Sequence, residues 1–182
     1  LWYWPLDGYF DGKKLYLGQM IVRNKKGAGP EDPMGFEIAG TQWMVVDNPL
    51  DPPEKWRIDS KELTNEKLWA GSSIFEWDGK VYFYSQAPAG EGKGYMTVLR
   101  VKKEKLADPA SSWEYLDSSR KWRRGTAQAD AARVIDQPIS EMSVRYHPSI
   151  KKWVAVSIGP EFPSNRVVVR TAESPVGPWS EP

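Results

Sequence analysis

Short stretches rich in β-branched and aromatic residues alternate along the chain with tight-turn sequences, a pattern that predicts strands rather than helices. The run "GYFDGKKLYLGQM" has the turn pair Asp-Gly between two such stretches, and "SSIFEWDGKVYFYSQ" has the pair again. In a looser copy, "SVRYHPSIKKWVAVSI", residues His147 to Ile150 replace the pair. Asp-Gly between alternating apolar residues is typical of a β-hairpin. We therefore expect three related hairpins.

Each hairpin is followed by a third predicted strand: "TQWMVVDNP", "YMTVLRVKK" or "NRVVVRTAESP". A proline-bearing turn and a tryptophan come next, and in the first two copies a fourth strand follows. Four antiparallel strands per repeat describe a propeller blade. The repeat, roughly 70 residues long, exceeds the roughly 40 to 50 residues of common propeller repeats, and long loops account for the difference. We predict an all-β propeller with blades over 1–66, 67–135 and 136–182.

The tryptophans of the repeated turn, Trp56, Trp113 and Trp179, are expected to pack between blades. Closed propellers typically carry four to eight blades, more than these three. We expect either further residues beyond both ends of this chain or a second copy that closes the ring. Another all-β fold is the alternative, and the helix candidates are short pieces such as "TAQADAARV".

Composition narrows the functions. The formal net charge is +1, from 25 basic and 24 acidic residues, so no nucleic acid or anionic membrane is expected as a partner. The chain has no cysteine and one histidine, which excludes thiolate and multi-histidine metal sites. No metal or other cofactor is predicted, and no apolar run approaches the roughly 20 residues that span a bilayer.

The stretch "SSRKWRRG" gathers four cations around Trp122. A polyanion would suit such a cluster, but a solvated loop is the simpler interpretation in a nearly neutral protein.

The segments "WYWPLDGYFDGKKLYL", "GSSIFEWDGKVYFYS" and "SVRYHPSIKKWVAVS", with "RVVVRTAESPVGPWS", resemble secreted bacterial and fungal propeller domains of the DUF4185 type. Those domains are related in fold to five-bladed glycoside hydrolases of the arabinanase and xylosidase kind. The resemblance implies five blades, of which this chain would hold the middle three. It also implies an extracellular or cell-surface location and an oligo- or polysaccharide ligand, but no established reaction.

The innermost strands of a propeller line its central channel, so candidate chemistry lies where the first strand of each unit begins. Those positions hold Asp7, Ser72, Ser73 and Glu141. Glycoside hydrolysis needs two carboxyl groups, roughly 5 to 5.5 Å apart for retention and about 6.5 to 9.5 Å for inversion. By position in the related hydrolases, Asp7 would be the general base, Glu141 a general acid kept protonated by burial, and Asp136 a third carboxylate that tunes them. Without a catalytic role, Asp7 is a turn residue and Glu141 a cap or ion-pair partner.

Aromatic rings near the same strand starts suit sugar binding, because sugars stack their apolar faces on rings. Trp4 and Trp69 are the candidates for such a platform, and core packing is the alternative for both. His147 is better explained as a turn residue at the far end of its strand than as a catalytic group.

Two functions remain open. One is a carbohydrate-active extracellular propeller, a glycoside hydrolase or a glycan-binding protein, with a carboxylate-lined central pocket. The other is a non-catalytic structural or assembly scaffold, since a fold by itself does not fix a function.

Overall fold

The computed structural model describes residues 1–27, 29, 34–88, 94–127, 129–139, 141–159 and 164–182. Regular structure in these residues is β-strand apart from three 3-10 helices: Pro53–Lys55, Lys103–Lys105 and Pro109–Ser112. The all-β prediction is confirmed. In the described part of the chain, no helix has the length and apolarity needed to cross a membrane.

The first sheet has four antiparallel strands that pair in chain order: β1 (Trp2–Phe10), β2 (Leu15–Asn24), β3 (Phe36–Val46) and β4 (Ile58–Asn65). The β1–β2 hairpin closes at the predicted turn, where the Asp11 carboxylate accepts hydrogen bonds from the backbone N–H groups of Lys13 (2.8 Å) and Lys14 (2.6 Å). Gly12 follows with a φ of +93°, a conformation that glycine adopts without steric cost.

The second sheet has five antiparallel strands, again in chain order: β5 (Trp69–Trp77), β6 (Lys80–Pro88), β7 (Gly94–Lys102), β8 (Glu114–Leu116) and β9 (Trp122–Arg124). Asp78 and Gly79 form the predicted β5–β6 turn, with φ values of +50° and +69°.

The fifth strand was not predicted, and the buried carboxylate of Asp117 holds its hairpin together. This carboxylate accepts hydrogen bonds from the Ser119 hydroxyl (2.7 Å), the Lys121 N–H (2.9 Å) and the Arg123 guanidinium (2.7 Å). These contacts hold the pKa of Asp117 far below its usual range; the bond from Ser119 has the largest effect, followed by those from Lys121 and Arg123. The hairpin therefore depends on an ionised aspartate.

The third sheet has three antiparallel strands: β10 (Met142–His147), β11 (Lys152–Ile158) and β12 (Val167–Ala172). No further strand follows β12 in the described residues up to 182. Instead, the chain returns beside β12, where Ser180 and Thr171 exchange two hydrogen bonds of 2.9 and 3.1 Å. The sheets cover 2–65, 69–124 and 142–172, while the blade boundaries at 66 and 135 stay predictions.

The segment "TAQADAARV" was a helix candidate, and that interpretation is wrong for its described residues. Ala131 forms an isolated bridge with Asp117, and Ile135, just beyond the segment, forms one with Met96. Gln128 lies outside the described residues. The segment packs against the second sheet because its apolar side chains Ala131, Ala132 and Val134 are buried in the core clusters.

The buried hydrophobic residues in the described part of the chain form two clusters, one on each side of the second sheet. The first core cluster joins the first and second sheets, and the second core cluster joins the second and third sheets. β6 supplies both, because alternate side chains of a strand point to opposite faces. Val81 and Phe83 pack into the first cluster, whereas Tyr82 and Tyr84 pack into the second. β5, the first strand of the second sheet, also contacts the first strands of the other two sheets, β1 and β10.

Two of the repeated tryptophans pack between sheets as predicted. Trp113 lies in the first core cluster, edge-on to Phe83 at 4.8 Å between ring centroids. Trp179 donates its indole N–H to the Tyr84 hydroxyl of the second sheet at 3.0 Å. Trp56 differs, since its indole N–H donates to the Asp51 carbonyl of its own turn at 2.9 Å.

Candidate functional site

One polar side chain from each first strand meets in a single network. Asp7 comes from β1, Ser73 from β5 and Arg145 from β10. The Arg145 guanidinium donates to Asp7 Oδ2 at 2.8 Å and to Ser73 Oγ at 2.9 Å. Ser73 in turn donates to Asp7 Oδ2 at 3.3 Å. The network therefore ties all three sheets together through their first strands. Asp7 and Ser73 lie inside β1 and β5, not at the strand starts that the sequence predicted, because both strands begin earlier, at Trp2 and Trp69.

Irregular strand pairing places these side chains. In β1, Pro5 pairs with Gln19 and Gly8 with Leu17, so that Leu6 and Asp7 bulge opposite one residue. In β5, the pairing jumps from Ala70 to Ser73, and residues 71–72 are left outside the ladder. Such bulges re-aim side chains and are common beside active sites. Here the bulges occur in β1 and β5, two strands that contact each other.

Glycine permits the backbone conformation of the β5 bulge. Gly71 has a φ of +106°, and a Cβ added there would lie 3.7 Å from Leu6 Cδ1 and 4.0 Å from Gly18 Cα. The bulge of β5 is thus packed directly against the first sheet. This contact brings Ser72 and Ser73 next to Asp7.

A cavity of about 260 Å³, called here the central cavity, opens beside this network. The cavity is lined by Pro5, Leu6, Asp7, Ser72, Glu141, Met142, Ser143 and Arg145. Two carboxylates from different sheets, Asp7 and Glu141, therefore share one cavity with one guanidinium. Three of the predicted site residues line it: Asp7, Ser72 and Glu141.

Asp7 has hydrogen-bond partners on both carboxylate oxygens. Its Oδ1 accepts the Gly8 N–H at 2.8 Å, and its Oδ2 accepts the Ile74 N–H at 2.7 Å in addition to the bonds from Ser73 and Arg145. Hydrogen bonds to a charged group are stronger than neutral ones. They fix the orientation of this carboxylate and balance its charge.

Ser73 is fully buried, and all of its hydrogen-bonding capacity is used. Its hydroxyl donates once, to Asp7, and accepts twice, from the Val144 N–H and from Arg145, both at 2.9 Å. A hydroxyl offers one donor and two acceptor lone pairs. Ser73 is therefore a connector between the sheets rather than a group free to bind a ligand.

Arg145 is the site residue that sequence reasoning missed. A signal was present, because a lone arginine stands inside a strand that we predicted to line the channel. Its partners, however, lie as far as 138 positions away along the chain. Only the packing of the three sheets identifies them.

Glu141 lies at the cavity with an exposed side chain, immediately before β10. The burial expected for Glu141 is therefore not observed in the described residues, and its role as a general acid stays a prediction. Asp136 does not line the cavity. Its carboxylate is 70% exposed and pairs with Arg133 at 2.9 Å, because the segment before it is bridged to Met96 of the second sheet.

Neither predicted aromatic residue lines the cavity. Trp4 packs edge-on against Phe36 at 4.8 Å and remains 39% exposed. Trp69 is half-buried at the start of β5, and its buried indole N–H has no acceptor among the described residues. His147 is exposed at the opposite end of β10, paired with Lys152 beside the turn, as expected.

A second polar cluster joins the first two sheets at the hairpin end. The Glu76 carboxylate accepts hydrogen bonds from the Tyr9 hydroxyl and from the Lys103 ammonium, the latter at 2.8 Å. Lys103 first, and then Tyr9, hold the pKa of Glu76 below its usual value. Among the described residues, no group of three or more potential metal ligands was found.

Solved structures resemble this chain in fold. A protein from Bacteroides ovatus, described as a putative hydrolase, matches 98% of this chain and 44% of its own length, with a TM-score of 0.70 and 17% identity. Zg3597, a family 117 glycoside hydrolase of Zobellia galactanivorans, matches 96% of this chain and 53% of its own, with a TM-score of 0.56 and 15% identity. The propeller prediction is confirmed at the level of fold, and the number of blades stays a prediction.

A curated fungal protein is also similar. Notoamide biosynthesis cluster protein J' of Aspergillus versicolor is 24% identical over 152 residues, which are 82% of this chain. The chain spans only 36% of that relative's length.

The model of the family described as domain of unknown function DUF4185 matches residues 5–182. This match covers nearly the whole chain and includes all three sheets. The chain belongs to the DUF4185 family.

Proposed function

We propose that this chain is part of a carbohydrate-active propeller whose central cavity binds a glycan. The observation that carries the proposal is that Asp7 and Glu141, from the first and third sheets, line the same cavity. Most glycoside hydrolases use a pair of carboxyl groups that flank the scissile bond. The likeness in fold to a family 117 glycoside hydrolase supports the same assignment.

In the hydrolytic form of the proposal, each carboxyl group has one role. Asp7 is the general base that activates a water molecule, and Glu141 is the general acid that protonates the leaving oxygen. Arg145 and Ser73 hold Asp7 in place, and a fixed orientation is what a catalytic base requires. Binding of a glycan above the exposed Glu141 would supply the burial that this chain does not provide.

A second function is favoured by one specific observation. Both oxygens of Asp7 are already engaged by protein donors, as expected for a residue whose task is to join sheets. In that case the chain is a non-catalytic scaffold, and the cavity results only from the way Asp7, Ser73 and Arg145 join the three sheets. The two functions differ in what removal of the carboxylates does to turnover.

The test is hydrolysis of arabino- and xylo-oligosaccharides by the purified protein and its variants, followed as released reducing ends. Asp7→Asn and Glu141→Gln are each expected to lower the rate by 100-fold or more, since general acid–base groups contribute about 10² to 10⁴. Asp59→Asn, an exposed change on β4, is the matched control. Asp136→Asn tests the third carboxylate and is expected to retain activity, because Asp136 lies outside the cavity lining.

Unfolding in denaturant separates chemistry from folding. Glu141→Gln is expected to leave the free energy of unfolding within about 0.5 kcal/mol of the parent value, as for most exposed substitutions. Full activity in both variants would contradict the assigned roles. Saturable glycan binding without turnover in the parent protein would leave a glycan-binding role, and neither binding nor turnover would favour the scaffold.

Location and partners belong to the same proposal. Since polysaccharides of this kind lie outside cells, we place the protein outside the cell or on its surface, and recovery from the culture medium would test this. The first sheet exposes aromatic side chains on β1, and the third exposes Val167 and Val169 on β12. Further sheets, from the same protein or from a second copy, would cover these surfaces and close the ring.

A further inference from the structure

A second cavity lies at the outer side of the second sheet, between the turn after β8 and the segment that leads to the third sheet. Its volume is about 380 Å³, and its lining includes Ser118, Arg120, Asp130 and Arg133. None of its lining residues belongs to the central cavity. We call it the arginine cavity.

Both guanidinium groups of the arginine cavity are held in place. Arg120 donates to the Val176 carbonyl of the third sheet's proline turn at 2.5 Å. Arg133 donates to Asp136 at 2.9 Å and lies over the Tyr95 ring, 4.7 Å from its centroid. In the part of the chain described, these contacts use one N–H group of each arginine. A guanidinium has five N–H donors, so each keeps donors for a ligand.

The surrounding charge favours an anion. Residues 117–136 contain five cations and three anions, a local excess of +2, although the whole chain carries only +1. Two of the three anions are already paired: Asp117 with Arg123 at 2.7 Å and Asp136 with Arg133. Because Asp136 compensates Arg133, the excess positive charge at the cavity comes from Arg120, with Asp130 in the same lining.

The aromatic rings in this region argue against single-stranded nucleic acid as the ligand. Such ligands stack their bases on free ring faces. The Trp122 ring, however, carries the Arg100 guanidinium 3.7 Å from its centroid, and the Tyr95 ring carries Arg133. What the cavity offers instead is guanidinium groups, which pair with carboxylates and sulfate-like groups in bidentate fashion.

We propose that the arginine cavity binds an acidic polysaccharide, with Arg120 and Arg133 contacting one carboxylate or sulfate group of the sugar chain. The Ser118 hydroxyl and the Asp130 carboxylate line the same cavity and provide hydrogen-bonding groups for neighbouring sugar hydroxyls. This site lies outside the central cavity, and its existence does not depend on hydrolysis there. It would hold an acidic part of a glycan at a distance from the central cavity.

The test is calorimetric titration of the purified protein with three probes of similar length: a galacturonate hexasaccharide, a sulfated maltohexaose and unmodified maltohexaose. Binding of one or both acidic probes, with maltohexaose at least tenfold weaker, is expected. Comparison of the two acidic probes identifies whether carboxylate or sulfate is preferred. Arg120→Gln and Arg133→Gln are each expected to weaken the bound acidic probe about tenfold, the loss of one charge-assisted contact.

Arg57→Gln is the matched control, because Arg57 is an exposed arginine next to the first sheet and its loss changes the net charge equally. Its affinity is expected to equal that of the parent protein. Arg133→Gln alters an exposed side chain, so it keeps the test valid should Arg120→Gln disturb the contact with Val176.

Three results would overturn the proposal. The first is the absence of binding to both acidic probes. The second is an equal loss in all three variants, which would indicate attraction by net charge alone. The third is tighter binding of a twelve-nucleotide single-stranded DNA that depends on the same two arginines, which would make the cavity a nucleic-acid site.

Discussion

At the scale of single residues, the junction of Asp7, Ser73 and Arg145 concentrates charge where three sheets meet. The Arg145 side chain is 43% exposed and that of Asp7 is 22% exposed. Solvent therefore screens the pair only in part, and the Ser73 hydroxyl adds a buried link. We expect an ion pair of this intermediate exposure to contribute at the upper end of the range for surface pairs, which is about 0 to 1 kcal/mol.

We therefore expect a measurable coupling between Asp7 and Arg145. In a double-mutant cycle with Asp7→Asn and Arg145→Gln, the coupling energy is expected to be about 1 kcal/mol, because part of the charge-assisted bond is lost to solvent. Equilibrium unfolding in urea gives the four free energies. The control cycle uses Arg23 and Glu37, a more exposed pair with an N–O distance of 2.6 Å, where we expect less than about 0.5 kcal/mol. Equal coupling in both cycles would contradict a special role for the junction.

At the scale of elements, the hairpins and the bulges differ in how well the sequence predicts them. The hairpins are local: Asp78 and Gly79 adopt positive φ values, which the Asp-Gly pair accommodates. The bulges of β1 and β5 depend on contact between sheets, as the approach of Gly71 to Leu6 and Gly18 indicates. Element positions were therefore predictable from turns and alternation, whereas local pairing was not.

Gly71→Ala tests the bulge of β5. An alanine at a φ of +106° is strained, and we expect the free energy of unfolding to fall by about 1 to 3 kcal/mol. Because the strained residue adjoins Ser72 and Ser73, we also expect weaker glycan binding if the central cavity is the binding site. Both quantities are measurable on one preparation, by urea unfolding and calorimetry.

Gly29→Ala is the control, since a Cβ added at Gly29 meets no atom of the described residues within 4 Å. We expect it to be neutral or slightly stabilising. If Gly71→Ala were equally neutral, the bulge would not depend on glycine.

At the scale of the whole molecule, the candidate site could be predicted only in part. Asp7 and Glu141 were found because the first hairpin strand has a recognisable place in the repeat, although only Glu141 lies next to the start of its strand and Asp7 lies inside β1. Arg145 was missed because the local sequence "SVRYH" does not indicate that its partner is Asp7 in β1. Asp136 was misplaced because closeness to β10 in sequence suggested closeness to the cavity, while Ile135 is bound to Met96 of the second sheet.

The exposed outer surfaces lead to a prediction about assembly. We expect the protein in solution to cover the aromatic start of β1 and the valines of β12 with further sheets. Intact mass spectrometry combined with sedimentation tests this. A polypeptide well above 20.7 kDa, or a chain of that mass sedimenting as a dimer, is the expected result. A stable monomer of 20.7 kDa would contradict the closed ring.

The position of β6 between two hydrophobic clusters has a consequence for how the molecule opens. The second sheet cannot separate without exposing both clusters, whereas the first or the third sheet can detach while one cluster stays intact. The third sheet has three strands and the first has four, so the third is the smaller unit to release. Sub-global opening should therefore begin at the third sheet, whose strands would exchange their amide hydrogens earliest. Arg145 leaves with that sheet, so heat would disrupt the central site while the first core cluster is still folded.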